Sequence, residues 1–175
     1  MPNANTFAQA AGAGTGAAQG ASSTAEFQFV DNAATPVRLR LRLPPGSVGN
    51  AKPFKVLAGG RFVSGEAGNL TINLDHGDSA TIGSNTTIET TGAIAMSTDS
   101  GSWRIEAELQ VDDVGDRLLG YGYGEVNGVI VAEAATAIVS SVNPANEIAF
   151  TVTGQCSASN ASNAIRCDYF EAQAL

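Results

Sequence analysis

The sequence predicts an all-β protein, built as an antiparallel sandwich, a jelly roll or a closed barrel. Three observations carry that prediction. Apolar and polar residues alternate strictly in several short runs, the pattern of strands with one dry and one wet face. Gly, Asn, Asp and Pro separate those runs at short intervals. Charged residues are only 15% of the 175, and no long amphipathic helical pattern interleaves with the runs, which argues against a parallel α/β sheet.

Residues 1–25 carry no charged side chain and are mostly Ala and Gly, with Ser, Thr, Asn and Gln. Spaced glycines (Gly12, Gly14, Gly16, Gly20) oppose helix, and Phe7 is the one large ring, so this stretch reads as a low-complexity N-terminal arm. It is either a disordered tail or an arm that orders on a partner or a neighbouring subunit. Residues 26–31 alternate as a short strand that holds Phe27 and Phe29. Then Val37, Leu39, Leu41 and Leu43 alternate with Arg38, Arg40 and Arg42, the cleanest period-2 pattern in the chain. It places three guanidinium groups on one face, about 6.6–6.8 Å apart. Pro44-Pro45-Gly46 ends that strand, since proline cannot donate to a ladder. Residues 26–52 therefore read as a strand segment with a basic stripe, between the arm and a body of 53–175.

The body opens with two short strands, 54–57 and 61–63, and Gly59-Gly60 as their turn. Leu70, Ile72 and Leu74 then alternate with polar residues. A turn is expected at Asp75-His76-Gly77-Asp78, a short strand at 79–82, and weak strands and loops over 85–96. The strongest stretch is 102–131. Trp103, Ile105, Ala107, Leu109 and Val111 form a dry face, against Arg104, Glu106, Glu108 and Gln110 on the wet one. After Asp112-Asp113-Val114-Gly115-Asp116, a second strand puts Leu119, Tyr121 and Tyr123 on one face and Leu118, Gly120, Gly122 and Gly124 on the other. Alternate glycines flatten that face, so a neighbour can pack closely on it. Asn127-Gly128 is a strong hairpin signal, because both central residues of a type I′ turn need positive φ. Residues 132–142 read as strand from Thr136, Ile138, Val139 and Val142. A strand over 147–155 follows, and a last one over 165–174 is expected to pair with it as a hairpin. That hairpin would let Cys156 and Cys167 face each other, either as reduced thiols or as a disulfide.

The net charge of −8 disfavours nucleic acid as a general partner. No apolar run is long enough for a membrane helix, and no basic start with an apolar block predicts a secretion signal. Charge is uneven: residues 32–61 hold six basic side chains and no acidic one, whereas 62–175 hold three basic and fifteen acidic. The Arg38, Arg40, Arg42 stripe can meet an acidic partner or another copy, or can pair internally with Glu106 and Glu108. Chemistry is hard to place. His76 is the only histidine and so the only candidate base for nucleophilic catalysis, and it sits in a polar turn without a motif. Asp112, Asp113 and Asp116 lack the ordering of an EF-hand loop and read as turn-formers. Two cysteines fall short of the four ligands of structural zinc. No catalytic residue, metal or cofactor is expected. Trp103 shares its face with Ile105 and Leu109 and reads as core, whereas Tyr121 and Tyr123 could form a sugar-stacking platform.

Over residues 54–175 the chain resembles bacteriophage head decoration (cement) proteins of the jelly-roll type. The resemblance rests on the Ala/Gly arm, the run Ser102-Trp103-Arg104-Ile105-Glu106-Ala107-Glu108-Leu109, the Gly-Tyr-Gly-Tyr-Gly strand with its Asn127-Gly128 turn, and the scarcity of catalytic residue types. It implies a jelly-roll-like antiparallel sandwich with an extended N-terminal arm. It implies a non-enzymatic homotrimer made in a bacterial cytoplasm and seated on the outer surface of the virion capsid, where it clamps neighbouring major capsid proteins. Arg38, Arg40, Arg42, Phe27 and Phe29 are then the candidate interface residues, with no nucleic-acid or membrane partner. The alternatives are a carbohydrate-binding sandwich module and a phage tail or fibre-tip domain.

Overall fold

The protein is an all-β, antiparallel, jelly-roll-like sandwich of two facing sheets. The structure is a computed structural model that describes residues 6–9, 19–20, 24–30, 38–49, 52–96, 100–112, 116–132 and 139–175. In chain order the strands are β1 (Thr6–Gln9), β2 (Gln19–Gly20), β3 (Phe27–Gln28), β4 (Arg40–Leu43), β5 (Phe54–Val63), β6 (Gly68–His76) and β7 (Thr86–Thr90). They continue as β8 (Ile94–Met96), β9 (Ser100–Val111), β10 (Arg117–Val126), β11 (Val129–Ala132), β12 (Val139–Ser140), β13 (Ile148–Cys156) and β14 (Ala164–Ala174). The first sheet has the order β1-β14-β5-β9-β10-β11, with β2 also on β14 and β12 also on β10. The second has the order β3-β13-β6-β7, with β4 on β13 and β8 on β6.

The period-2 signal sets the inner faces. Trp103, Ile105, Ala107, Leu109 and Val111 of β9 all point into one core, opposite Leu70, Ile72 and Leu74 of β6 and Phe150 and Val152 of β13. Residues 26–30 and 38–49 belong to that same core, to which they give Phe29, Leu39, Leu41, Leu43 and Val48, all buried. The Val37 end of the expected basic strand lies outside the described residues; Arg38 forms an isolated bridge to Val30, and β4 begins at Arg40.

The alternate glycines of β10 do what a flat face permits. A Cβ on Gly124 would lie 2.6 Å from Cα of Thr91, and one on Gly122 would press on the Glu89 carboxylate. The second sheet therefore comes close to the first at this point. Thr91 is wholly buried there, with its backbone N–H donating to Ile72 O at 2.9 Å and its hydroxyl accepting from Ile72 N–H at 2.9 Å. At the β10–β11 turn, Asn127 and Gly128 both have positive φ, 53° and 76°, as the hairpin signal requires.

Several expectations need correction. Gly59-Gly60 is not a turn: β5 runs through both as one strand. A glycine inside a strand also marks a close approach, and both glycines serve that purpose here. Gly59 lies under the ring of Tyr169, and Gly60 lies against the backbone of Arg166, beside a bulge in β14 between Cys167 and Tyr169. Residues 79–82 are not a strand; Asn85 accepts from Ser79 N–H at 2.9 Å and holds this stretch as a loop. Asp75 and His76 are not in a turn but end β6, and the His76 ring packs edge-on against Phe150, 5.9 Å between centroids. Burial lowers the His76 pKa below its ordinary value. Nor do β13 and β14 form a hairpin, for they lie in different sheets. Cys156 and Cys167 are consequently separate free thiols, both buried, rather than a disulfide. Burial pushes the Cys167 thiol up to about 12.

The N-terminal arm is used as edge structure where it is described. β1 pairs antiparallel with β14, Thr6 opposite Gln173, and β2 pairs with the other end of β14, Gln19 opposite Ile165. Most of the rest of the arm lies outside the described residues, as does 133–138 of the expected strand over 132–142.

Candidate binding face on the first sheet

All three tyrosines of the chain stand on the outer face of the first sheet. Antiparallel register arranges that face in rows across the strands. One row runs Tyr121 (β10), Glu108 (β9), Lys55 (β5), Gln173 (β14). The next runs Tyr123, Glu106, Leu57, Glu171, and the third Glu125, Arg104, Gly59, Tyr169. Opposite charges thus fall directly across from one another, the geometry in which cross-strand pairs stabilise a sheet.

Glu106 is the hub. It is buried although it lies on an outer face, because Lys55, Arg104 and Tyr123 close over it. Lys55 and Arg104 both pair with its carboxylate, and the Tyr123 hydroxyl donates to it at 3.2 Å. Burial works to raise this carboxyl, but the Lys55 hydrogen bond, then Arg104 and Tyr123, hold it below the ordinary carboxylate range. The same hydrogen bond raises Lys55. The Arg104 guanidinium also lies over the Tyr123 ring, 5.7 Å from its centroid, a cation–π arrangement. Tyr121 is the open end of this array, 55% exposed, with its hydroxyl donating to Glu108. That hydrogen bond, more than any other contact, raises the Tyr121 pKa.

The outer face of the second sheet holds the basic stripe, and here the expected partners change. Glu106 and Glu108 lie on the other sheet, so they cannot meet Arg38, Arg40 and Arg42. Instead Arg38 donates to the Asp78 backbone carbonyl at 2.9 Å, and Arg40 and Arg42 pair with the Asp78 carboxylate at 3.5 and 2.7 Å. Arg42 also meets Glu147 at 3.2 Å. The stripe pins the loop after β6. Phe27 and Phe29 are not free interface residues either. Phe29 is 1% exposed and stacks on Trp103, and Phe27 packs on Phe29, 5.3 Å between centroids.

Beside the stripe, two carboxylates share one hydroxyl. Thr153 donates to Glu26 and lies 3.4 Å from Asp75, which also accepts from Thr87 at 2.6 Å. Burial, with a further push from the Glu26 charge, raises Asp75 above its ordinary value. Folded protein therefore holds this proton to higher pH than unfolded chain does. The associated stability is complete below the unfolded pKa and is lost as pH rises through the raised folded one. Asp75→Asn keeps an acceptor for Thr87 and offers a donor to the Thr153 hydroxyl, which itself donates to Glu26. It is expected to stabilise the fold at pH 7 by about 1 kcal/mol, and to have no effect near pH 3, as read by thermal unfolding at both pH values. His76, present in both proteins, cancels from that difference.

Asp112 accepts from Arg117 at 2.6 Å and from the Asp116 N–H at 3.4 Å, while residues 113–115 of the expected turn, Asp113 among them, lie outside the described residues. Among the described residues no three His, Cys, Asp or Glu side chains are placed to share a metal ion. Trp103 is core, 2% exposed. Sequence reasoning missed Tyr169 because the bulge hides it. Ile165 and Cys167 point inward, as do Phe170 and Ala172, so the parity switches from odd to even at Asp168-Tyr169. One extra residue moves every later side chain to the other face. That phase break is readable in the sequence.

No protein-family profile and no curated protein matches this chain. Among solved structures it is similar to lectin I-B4 from Griffonia simplicifolia in its metal-free form: 11% identity, TM-score 0.32, 98% of this chain against 93% of that one. It is also similar to peanut lectin with a nine-residue peptide: 11% identity, TM-score 0.31, 100% of this chain against 94% of that one. Likeness at that level carries no argument about what this chain binds, and the fold class stands on the pairing of its own two sheets.

Proposed function

We propose that this chain is a non-enzymatic structural protein of a bacteriophage virion, one that decorates the outer capsid surface and holds neighbouring major capsid proteins together. The observation that supports it best is the use of the arm. Two pieces of this low-complexity segment, Thr6–Gln9 and Gln19–Gly20, lie along β14 as edge strands, bound through their backbone. Strand addition of that kind needs an open edge on the partner and little sequence specificity, which suits a clamp on a repeated lattice. Many copies then turn modest single contacts into lasting attachment. The broad face with Tyr121, Tyr123, Tyr169 and Arg104 adds the residue types that dominate protein interfaces.

The test is mass and attachment together. Light scattering over a range of concentrations is expected to give a concentration-independent trimer, matching a threefold capsid site. The protein should then co-sediment with empty phage heads. Removal of residues 1–25 should abolish co-sedimentation and leave the far-ultraviolet spectrum of the sandwich in place. Full-length protein that stays in the supernatant at saturating heads would overturn the reading.

A further inference from the structure

We propose that the groove beside Tyr121 is a subsite for one neutral hexose unit of a glycan. The groove measures about 320 Å³ and is lined by Pro53, Glu108, Gln110, Leu119 and Tyr121, with the Leu109 and Gly120 backbones as its floor. That is the lower end of the range for small-molecule sites.

Four features of this groove suit a pyranose. Its aromatic wall is the most exposed of the three tyrosines, at 55%. A sugar ring carries a face of C–H groups that packs on an aromatic ring, while its hydroxyls stay at the rim. The Tyr121 ring is also held in advance, because its hydroxyl donates to Glu108 and Glu108 in turn lies 3.5 Å from Lys55 on the next strand. A wall already fixed loses little side-chain freedom on binding. Gly120 and its cross-strand partner Leu109 hold inward-facing positions, so neither puts a side chain into the groove and its floor is backbone. Finally, two polar groups border the wall. The Glu108 carboxylate is an acceptor that ring hydroxyls can share. The Gln110 side-chain amide, also in the lining, offers both a donor and an acceptor. A hexose needs this mixture of donors and acceptors.

The charge decides which sugars fit. The Glu108 carboxylate is the charged group in the groove lining, and the chain carries a net charge of −8. An anionic sugar meets a carboxylate there and is rejected, whereas a neutral one meets an acceptor. The site uses none of the arm, so it stands or falls separately from the capsid reading.

The experiment is titration of the full chain with methyl glycosides of glucose, galactose, mannose and N-acetylglucosamine and with their neutral trisaccharides, followed by calorimetry and by ligand-observed NMR. Glucuronic acid serves as the anionic comparison. Saturable binding of at least one neutral probe is expected, with Kd on the order of 1 mM for a single unit. Tyr121→Ala should weaken it by at least about tenfold and leave the melting temperature unchanged, since the ring is exposed. Tyr121→Phe keeps the wall but frees it from Glu108 and should cost only a few-fold. Gln110→Ala should fall between them. The proposal is overturned if no neutral probe saturates, if glucuronic acid binds more tightly than the neutral sugars, or if folded Tyr121→Ala binds as well as the parent. Loss of head attachment with intact sugar binding, or the reverse, separates this site from the capsid role.

Discussion

Trp103→Ala should lower the unfolding free energy by about 3–5 kcal/mol. The indole is 2% exposed and works in three directions. Its β9 backbone pairs with β5 and β10, its ring stacks on Phe29 with centroids 5.2 Å apart, and its Nε1–H donates to the Arg166 carbonyl of β14 at 3.2 Å. Truncation leaves a cavity between the sheets and takes a donor from a backbone carbonyl. Both terms have the same sign. It also removes the platform that fixes Phe29, so the segment 24–30 should loosen before the rest. Denaturant unfolding followed by circular dichroism measures the first effect, because the chain has no second tryptophan to report by fluorescence. The rate of chymotryptic cleavage at Phe27 or Phe29 measures the second. By contrast Tyr121→Ala, on the exposed end of the outer face, should cost no more than about 0.5 kcal/mol.

Gly60→Ala should be nearly as damaging, at least about 3 kcal/mol, although it adds a single methyl group. At an ordinary strand position this change stabilises, because it restricts the unfolded chain. Gly60 has no positive φ, so backbone strain is not the issue. The obstacle is contact. A Cβ there would overlap the Arg166 carbonyl oxygen and lie 2.9 Å from its carbonyl carbon and 3.0 Å from Cα of Cys167. These are backbone atoms of a paired strand, so relief means moving β14 off β5 at its bulge. Gly59→Ala makes the useful comparison. The atoms nearest its Cβ would all belong to the Tyr169 ring, a side chain that can swing outward, so a loss of about 1 kcal/mol is expected. Thermal melts of the two variants side by side test the difference. Equal losses would mean that β14 is free to shift.

What the sequence made legible, and what it hid, divides along physical lines. The alternation in β9, the glycine face of β10 and the Asn127-Gly128 turn are local signals, and each describes its own strand correctly. The core status of Trp103 follows from the company it keeps on that face. Gly59-Gly60 was ambiguous because glycine serves both a turn and a close approach, and only the neighbouring strand decides between them. The pairing of the last two long strands was illegible for another reason. A short connection suggests a hairpin, yet β13 and β14 enter opposite sheets, a choice made by long-range pairing with β6 and β5. Sheet membership also redirected the arginine stripe. Arg40 and Arg42 lie one sheet away from Glu106 and Glu108, so Asp78 takes their charge instead. The tyrosine face needed both kinds of information: Tyr121 and Tyr123 by alternation, and Tyr169 by a phase break that passes unnoticed unless inward residues are counted across it.

The antiparallel seam between β1 and β14 has a mechanical consequence. Thr6 lies opposite Gln173, so the two ends of the fold leave it side by side. Tension applied between those ends loads the seam one hydrogen bond at a time, like a zipper opened from its tab, and the seam yields at low force. A pull directed along β5 or β9, whose ladders run ten pairs together, loads many bonds at once in shear. The molecule is therefore soft to traction at its ends and stiff through its centre. Whatever holds it by the arm can peel that strand away and leave the sandwich closed.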